Sequence, residues 1–209
     1  MNWGCIPTKA LLKSANVYEY AKHAASYGIN AENISANFGG VITRSRGVAD
    51  KMSKGIQFLM KKNKIDVVMG NGKLIAANKL EVTAADGSKQ ILEAKNIVLA
   101  TGGRARELPS MPIDGKKIIG YREAMVLPVQ PKSMIICGSG AIGSEFAYFY
   151  NSLGTKVTMV EFMPRLVPVE DDDISRELEK NFKKQGMTIM TSAEVTSVDI
   201  SGAGVKAKV

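Results

Sequence analysis

Ser133-Met134-Ile135-Ile136-Cys137-Gly138-Ser139-Gly140-Ala141-Ile142-Gly143 is the stretch that decides the fold. An apolar run stops at three glycines spaced GxGxxG, and a helical pattern from Ala141 to Leu153 follows. The glycine spacing alone is a weak signal. Between an apolar strand and a helix it becomes the turn that rests a dinucleotide pyrophosphate on a helix N-terminus. Gly138 allows the tight turn, Gly140 lets the backbone approach the phosphates, and Gly143 lets the helix pack close to the sheet. The turn and first helical residues, Gly138, Ser139, Gly140, Ala141, Ile142, Gly143, Ser144 and Glu145, are the candidate dinucleotide-binding residues.

Downstream, the β-α-β pattern continues. Lys156 to Val160 reads as the next strand and Asp172 to Gln185 as a helix opened by acidic residues that suit its N-terminus. Met187 to Met190 reads as a third strand, and Glu194–Asp199 with Gly204–Val209 as a hairpin. Glu161 follows the second strand, near the roughly 20-residue spacing of the acid that binds a ribose 2′-hydroxyl. A carboxylate there repels a 2′-phosphate, which favours NAD over NADP; Arg165, close by, pulls the other way.

Upstream, Arg104 to Gly120 carries Pro109, Pro112 and Gly115 and reads as a connector. The domain boundary falls at 113/114, giving domains 1–113 and 114–209. In the first of these, helices are expected over Thr8–Tyr27 and from about Val41 to Lys62. The apolar stripe of the second, Ile42, Val48, Met52, Ile56, Leu59 and Met60, is read as core. Asp66–Met69 reads as a strand with a turn at Gly70-Asn71-Gly72. Period-two strands flank a hairpin at Ala85-Asp86-Gly87-Ser88, and Asn96–Ala100 reads as an apolar strand ending in Thr101-Gly102-Gly103. The fold class is α/β.

The formal net charge of +8 raises nucleic-acid binding. The lysines nevertheless fall along helical stretches (Lys51, Lys54, Lys61, Lys62, Lys64; Lys180, Lys183, Lys184) as solvated faces without interleaved aromatics, so no nucleic-acid partner is read. No apolar run is long enough to span a membrane. His23, the only histidine, stands on a helix without a metal-ligand constellation around it, so no metal is read. The two cysteines, Cys5 and Cys137, lie far apart and suggest no disulfide scaffold, which points to the cytoplasm. Cys5 precedes Pro7 and a helical pattern, so a helix N-terminus there favours the thiolate. Cys137 lies inside a strand and reads as a small buried residue.

Asn2-Trp3-Gly4-Cys5-Ile6-Pro7-Thr8-Lys9-Ala10-Leu11-Leu12 resembles the redox segment of the flavin-dependent pyridine nucleotide-disulfide oxidoreductases, in particular the branch that oxidises dihydrolipoamide. The resemblance covers nearly the whole chain. It implies a FAD-binding domain over 1–113, carrying the redox-cysteine helix, and a Rossmann-type NAD-binding domain over 114–209. Cys5 matches the second cysteine of the family's redox pair, the one facing the flavin. Lys9 and Glu145 match a buried ion pair beside the flavin, so the implied catalytic residues are Cys5, Lys9 and Glu145. Thr101-Gly102-Gly103 resembles the second FAD motif, Gly72 a turn against the FAD adenine, and Val195 a backbone position near the NAD adenine. The implied reaction moves electrons from a dithiol through the redox disulfide and FAD to NAD. The implied partners are a lipoyl carrier domain of a 2-oxo acid dehydrogenase complex and, in the full-length family, a second copy in a homodimer.

Measured against that family, the first FAD motif, the first cysteine, the end of the NAD domain and the C-terminal domain with its His-Glu base all fall outside Met1–Val209. Both domains are therefore expected to be partial, the chain to be an internal fragment, and the fragment to be inactive alone. The alternatives are another flavin disulfide reductase, acting on glutathione or mercuric ion, and a non-catalytic dinucleotide-binding module.

Overall fold

A computed structural model describes all residues, 1–209. The chain divides into two compact units, one formed by Met1–Ser53 with Ala105–Val209, the other by Lys54–Arg104. This is a division by packing, whereas the expected boundary at 113/114 divides by cofactor.

Helix α1 spans Cys5–Lys22. It starts three residues earlier than expected because Gly4 serves as N-cap and Pro7 falls in the first turn, where no intrahelical N–H is needed. Thr8 Oγ1 donates back to Gly4 O at 2.9 Å. Pro7, Thr8, Ala10, Leu11 and Ala15 form the buried face. The expected last turn tightens into a separate 3₁₀ turn, Ala24–Tyr27. Helix α2, Phe38–Lys62, also starts early: Asn37 Oδ1 accepts from Gly40 N–H at 2.9 Å, the bond of an N-cap. Its buried residues are Phe38, Ser45 and Ala49. The expected core stripe fails at Met52 and Leu59, which are 46% and 45% exposed.

In the unit Lys54–Arg104, strands β1 (Asn71–Ala76), β2 (Lys79–Thr83) and β3 (Lys89–Glu93) form an antiparallel sheet in that order. The β2–β3 turn closes through Ala84 N–H to Ser88 O at 2.9 Å, and Asp86 Oδ1 accepts from Ser88 N–H at 2.9 Å. Three expectations fail here. Gly72 is not in a turn but in β1, opposite Val82. Neither Asp66–Met69 nor Asn96–Ala100 is a strand, and Val98 and Leu99 are 87% and 68% exposed. An apolar run becomes a parallel strand only when neighbours pair its N–H and C=O groups. The sheet of this unit has three antiparallel strands and pairs neither run.

In the larger unit the short helix α3, Tyr121–Ala124, follows directly on the expected connector. Glu123 Oε2 accepts from Gly120 N–H at 2.9 Å and fixes its start. Strand β4 (Ser133–Cys137), helix α4 (Ala141–Ser152), strand β5 (Lys156–Val160), helix α5 (Asp172–Lys184) and strand β6 (Thr188–Met190) follow as expected. Strands β4, β5 and β6 pair in parallel in that order, a Rossmann-like arrangement, with Ser133 opposite Lys156 and Thr158 opposite Thr188. Asp171 caps α5 by accepting from Asp173 N–H at 2.9 Å, and Lys183 and Lys184 complement the helix dipole at the other end. Strands β7 (Ser197–Asp199) and β8 (Lys206–Lys208) form the expected hairpin.

Helix α4 runs through the middle of the core. Phe146, Phe149 and Tyr150 cluster with Phe38 at ring-centroid distances of 4.9 to 6.4 Å. Leu11 and Ala15 of α1 and Val157 and Met159 of β5 complete the packing, so the glycine turn at the head of α4 is held from both sides. No helix is long and apolar enough to cross a membrane.

Candidate functional site

The glycine turn connects β4 to α4. Gly138 has φ +94°, a conformation a side chain would strain, and its N–H donates to Val160 O at 2.8 Å, tying the turn to the end of β5. Gly140 is the N-cap of α4, and a Cβ there would meet nothing within 4 Å. The backbone is therefore open to a ligand at that point. Gly143 is the opposite case: a Cβ would overlap the Gly138 carbonyl oxygen and lie 3.1 Å from the Gly138 carbonyl carbon. Ala141 and Ile142 occupy the first turn with exposed side chains. Ser144 is buried, and its Oγ donates to Ser139 O at 2.7 Å.

Glu161 stands at the end of β5, 6% exposed. Its Oε2 accepts from Ser139 N–H at 2.7 Å and from Ser139 Oγ at 2.7 Å; Oε1 accepts from Met163 N–H at 2.8 Å. Burial opposes ionisation, but the hydrogen bonds from Met163 and Ser139 outweigh it and hold the carboxyl below its ordinary range. A depressed carboxylate pKa contributes stability that is fully present above the unfolded value of about 4.3 and is lost as pH falls through the folded value. Denaturant unfolding from pH 7 to pH 3 is therefore expected to show the wild-type advantage over Glu161→Gln shrinking below about pH 4.3. An advantage independent of pH would contradict the assignment.

Cys5 is the first residue of α1 and is exposed. Cys137 is partly buried, its Sγ 3.7 Å from Met111 Sδ, and burial pushes its thiol up. Lys9, one turn after Cys5, forms an ion pair with Glu145 of α4, so the redox-type helix and the dinucleotide-type helix are joined by the expected pair. Two details differ from expectation. Glu145 is the fifth residue of α4, in its second turn, and the pair is not buried: the Lys9 side chain is 61% exposed and that of Glu145 29%. Water screens such a pair, so Lys9→Met is expected to change the unfolding free energy by less than about 1 kcal/mol, not by the several expected of a buried pair. Denaturant titration of the two chains measures it.

Spacing alone could not have found Arg46. From α2, its Nη2 donates to Asn2 O at 2.7 Å and its guanidinium lies 4.6 Å from the centre of the Trp3 ring, bracing the residues that lead into Cys5. Arg44 likewise donates to Ala10 O at 2.8 Å.

Val195 is buried, and its carbonyl accepts from Ser110 Oγ at 3.3 Å. It lies two residues beyond Ala193, whose N–H donates to Glu161 O at 3.0 Å, so its segment is fastened to the acid's own backbone. Thr101, Gly102 and Gly103 belong to the unit Lys54–Arg104, where they are exposed and outside any regular element. Gly72 of β1 belongs to the same unit.

Residues 1–209 match the family described as pyridine nucleotide-disulphide oxidoreductase. The chain is 47% identical to a dihydrolipoyl dehydrogenase of Chlorobaculum parvum over 207 residues, covering 99% of this chain and 44% of that protein. It is 37% identical to a leghemoglobin reductase of Vigna unguiculata, covering 99% of this chain and 40% of the relative. Among solved structures it superposes on LpdA from Mycobacterium tuberculosis with a TM-score of 0.90 at 30% identity, covering 99% of this chain and 46% of that one. The HOCl-induced flavoprotein disulfide reductase RclA from Escherichia coli gives 0.83 at 25% identity, covering 100% and 44%. The chain thus spans less than half the length of the relatives it matches.

Proposed function

The chain belongs to the pyridine nucleotide-disulphide oxidoreductase family, and from that premise we propose that it serves the oxidation of a dithiol with NAD as acceptor, as in a dihydrolipoamide dehydrogenase. The dithiol is dihydrolipoamide on a lipoyl carrier domain of a 2-oxo acid dehydrogenase complex; the relatives named dihydrolipoyl dehydrogenase support that substrate class. Closing the disulfide releases two electrons and two protons; NAD⁺ takes a hydride and one proton is set free.

One observation carries the dinucleotide part: a buried, hydrogen-bonded carboxylate, Glu161, stands against a glycine turn that is open at Gly140 and closed at Gly143. These residues fit NAD. The N–H groups at the head of α4 would hold the pyrophosphate and Glu161 the adenosine ribose. When bound, the nicotinamide would supply the hydride-accepting centre. Cys5 is the exposed first residue of α1. Lys9 and Glu145 link α1 to α4 by a solvent-screened ion pair. Thr101–Gly103 is exposed and outside any helix or strand, so the residues present give FAD no defined fit.

Calorimetric titration of the 209-residue chain with NADH and with ADP-ribose tests the reading. Both are expected to bind one to one, ADP-ribose keeping most of the affinity because the turn and the acid contact that half. Absence of binding by either would overturn the dinucleotide assignment.

A further inference from the structure

The Ser139 hydroxyl does more than a glycine turn requires. Ser139 is fully buried at the second position of the turn. Its one hydroxyl proton goes to Glu161 Oε2 at 2.7 Å, and its oxygen accepts from Val167 N–H at 3.0 Å. Val167 is a β-branched residue with φ +40°, 9% exposed, in a region such residues avoid. A strained residue persists only where its surroundings hold it. Here the holders are the Ser139 hydroxyl on its N–H, and Glu170 N–H at 2.9 Å and Ser175 Oγ at 3.4 Å on its carbonyl. One side chain therefore pins both the acid and the loop that follows it.

We propose that Ser139 is a positioning residue that fixes Glu161 across the glycine turn and thereby sets the preference for a dinucleotide with a free ribose 2′-hydroxyl over one bearing a 2′-phosphate. This rests on the dinucleotide reading above. A carboxylate offers about four acceptor positions. Ser139 N–H and Oγ take two on Oε2, Met163 N–H takes one on Oε1, and Phe162 N–H adds to the hold on the carboxylate. Acceptor capacity left on Oε1 suits only a donor such as a ribose hydroxyl. A 2′-phosphate offers only acceptors and negative charge, and the pinned carboxylate cannot swing aside. Arg165, the nearest cation in sequence, is turned away: it is ion-paired with Asp172, and its Nη2 donates to Pro168 O at 3.1 Å. Its Nε is buried without a hydrogen-bond partner.

The test combines calorimetry with NADH and NADPH and a carboxyl-carbon NMR titration of Glu161, on the wild-type chain and on Ser139→Ala. Wild type is expected to bind NADH at least about tenfold more tightly than NADPH, a factor within reach of one charged contact. In Ser139→Ala the NADH affinity should fall about tenfold, the NADPH affinity less, and the Glu161 midpoint should rise. A role confined to stability would weaken both nucleotides equally; an unchanged ratio or an unmoved Glu161 midpoint overturns the proposal. If Ser139→Ala does not fold, Ser139→Cys, whose thiol is a weak donor and acceptor, must narrow the ratio in the same way, and failure to do so also overturns it. Wild type that binds neither nucleotide removes the dinucleotide reading, while the Glu161 midpoint still reports whether Ser139 holds the acid.

Discussion

Gly143→Ala is expected to lower the unfolding free energy by about 3 kcal/mol or more and to remove dinucleotide binding altogether. The added methyl would overlap the Gly138 carbonyl oxygen, and 3.4 Å away on the other side it would meet Ile136 Cγ2. The first obstacle is backbone, and it cannot rotate out of the way as a side chain could. Gly138 is held in turn by its N–H to Val160 O at 2.8 Å and by its left-handed φ of +94°. To admit the methyl, α4 must back away from the sheet or the turn must open. Either change moves the N–H groups at the head of α4 and separates Ser139 from Glu161. Gly140→Ala is the contrast. Its Cβ meets nothing in the chain, so stability should change by only about 1 kcal/mol or less. Binding should still fall, because the methyl would occupy the space a phosphate needs. Chemical denaturation and NADH calorimetry on both variants separate the two effects. Equal loss of stability in both would mean that the turn is not built as described.

The parts of this structure that sequence reading recovered are those with local causes. Strand β4, the glycine turn, α4 and β5 are each written in a contiguous pattern, and the acid at Glu161 follows from its spacing. The hairpin between β2 and β3 is fixed by Asp86 and Gly87 within four residues. The failures came from non-local requirements. Asn96–Ala100 has the composition of a buried parallel strand, but composition supplies no neighbour to pair its backbone. Met52 and Leu59 keep helical spacing on α2, yet they stay nearly half exposed rather than entering the core. Lys9 and Glu145 were correctly joined across 136 residues through the family resemblance, while the exposure of the pair depends on packing that no motif encodes. In the site, Ser139 is legible in sequence as a dinucleotide-turn residue, but no role for its hydroxyl is. That its hydroxyl reaches both Glu161 and Val167 depends on where the loop after β5 folds, which Arg165 and Asp172 help to fix.

Tyr150→Ala is expected to cost about 4 kcal/mol, among the largest effects available to a single side chain in this chain. Tyr150 is fully buried on α4, against Phe149 at 4.9 Å, Phe38 at 6.1 Å and Phe146 at 6.4 Å between ring centroids. Truncation leaves a cavity the size of a ring, bounded by side chains from α2 and α4 that cannot all collapse into it. The hydroxyl adds a second, separable contribution. It donates to Ala124 O at 2.6 Å and ties α3, whose Ala124 also packs in the core, to α4. Tyr150→Phe keeps the ring and leaves that carbonyl without its donor, which should cost about 1–2 kcal/mol. The two variants therefore divide packing from hydrogen bonding. The pH dependence divides them again. Burial pushes the Tyr150 hydroxyl far above its ordinary value, so in the folded chain it stays protonated where the unfolded chain ionises. A raised pKa contributes stability that is fully present below the unfolded value, near pH 10, and is lost as pH rises above it. The advantage of wild type over Tyr150→Phe should be constant from pH 6 to about pH 9 and should decline beyond about pH 10. Guanidinium unfolding across that range measures it. A Tyr150→Ala loss no larger than that of Tyr150→Phe would show that the aromatic cluster on α4 does not bear the packing assigned to it.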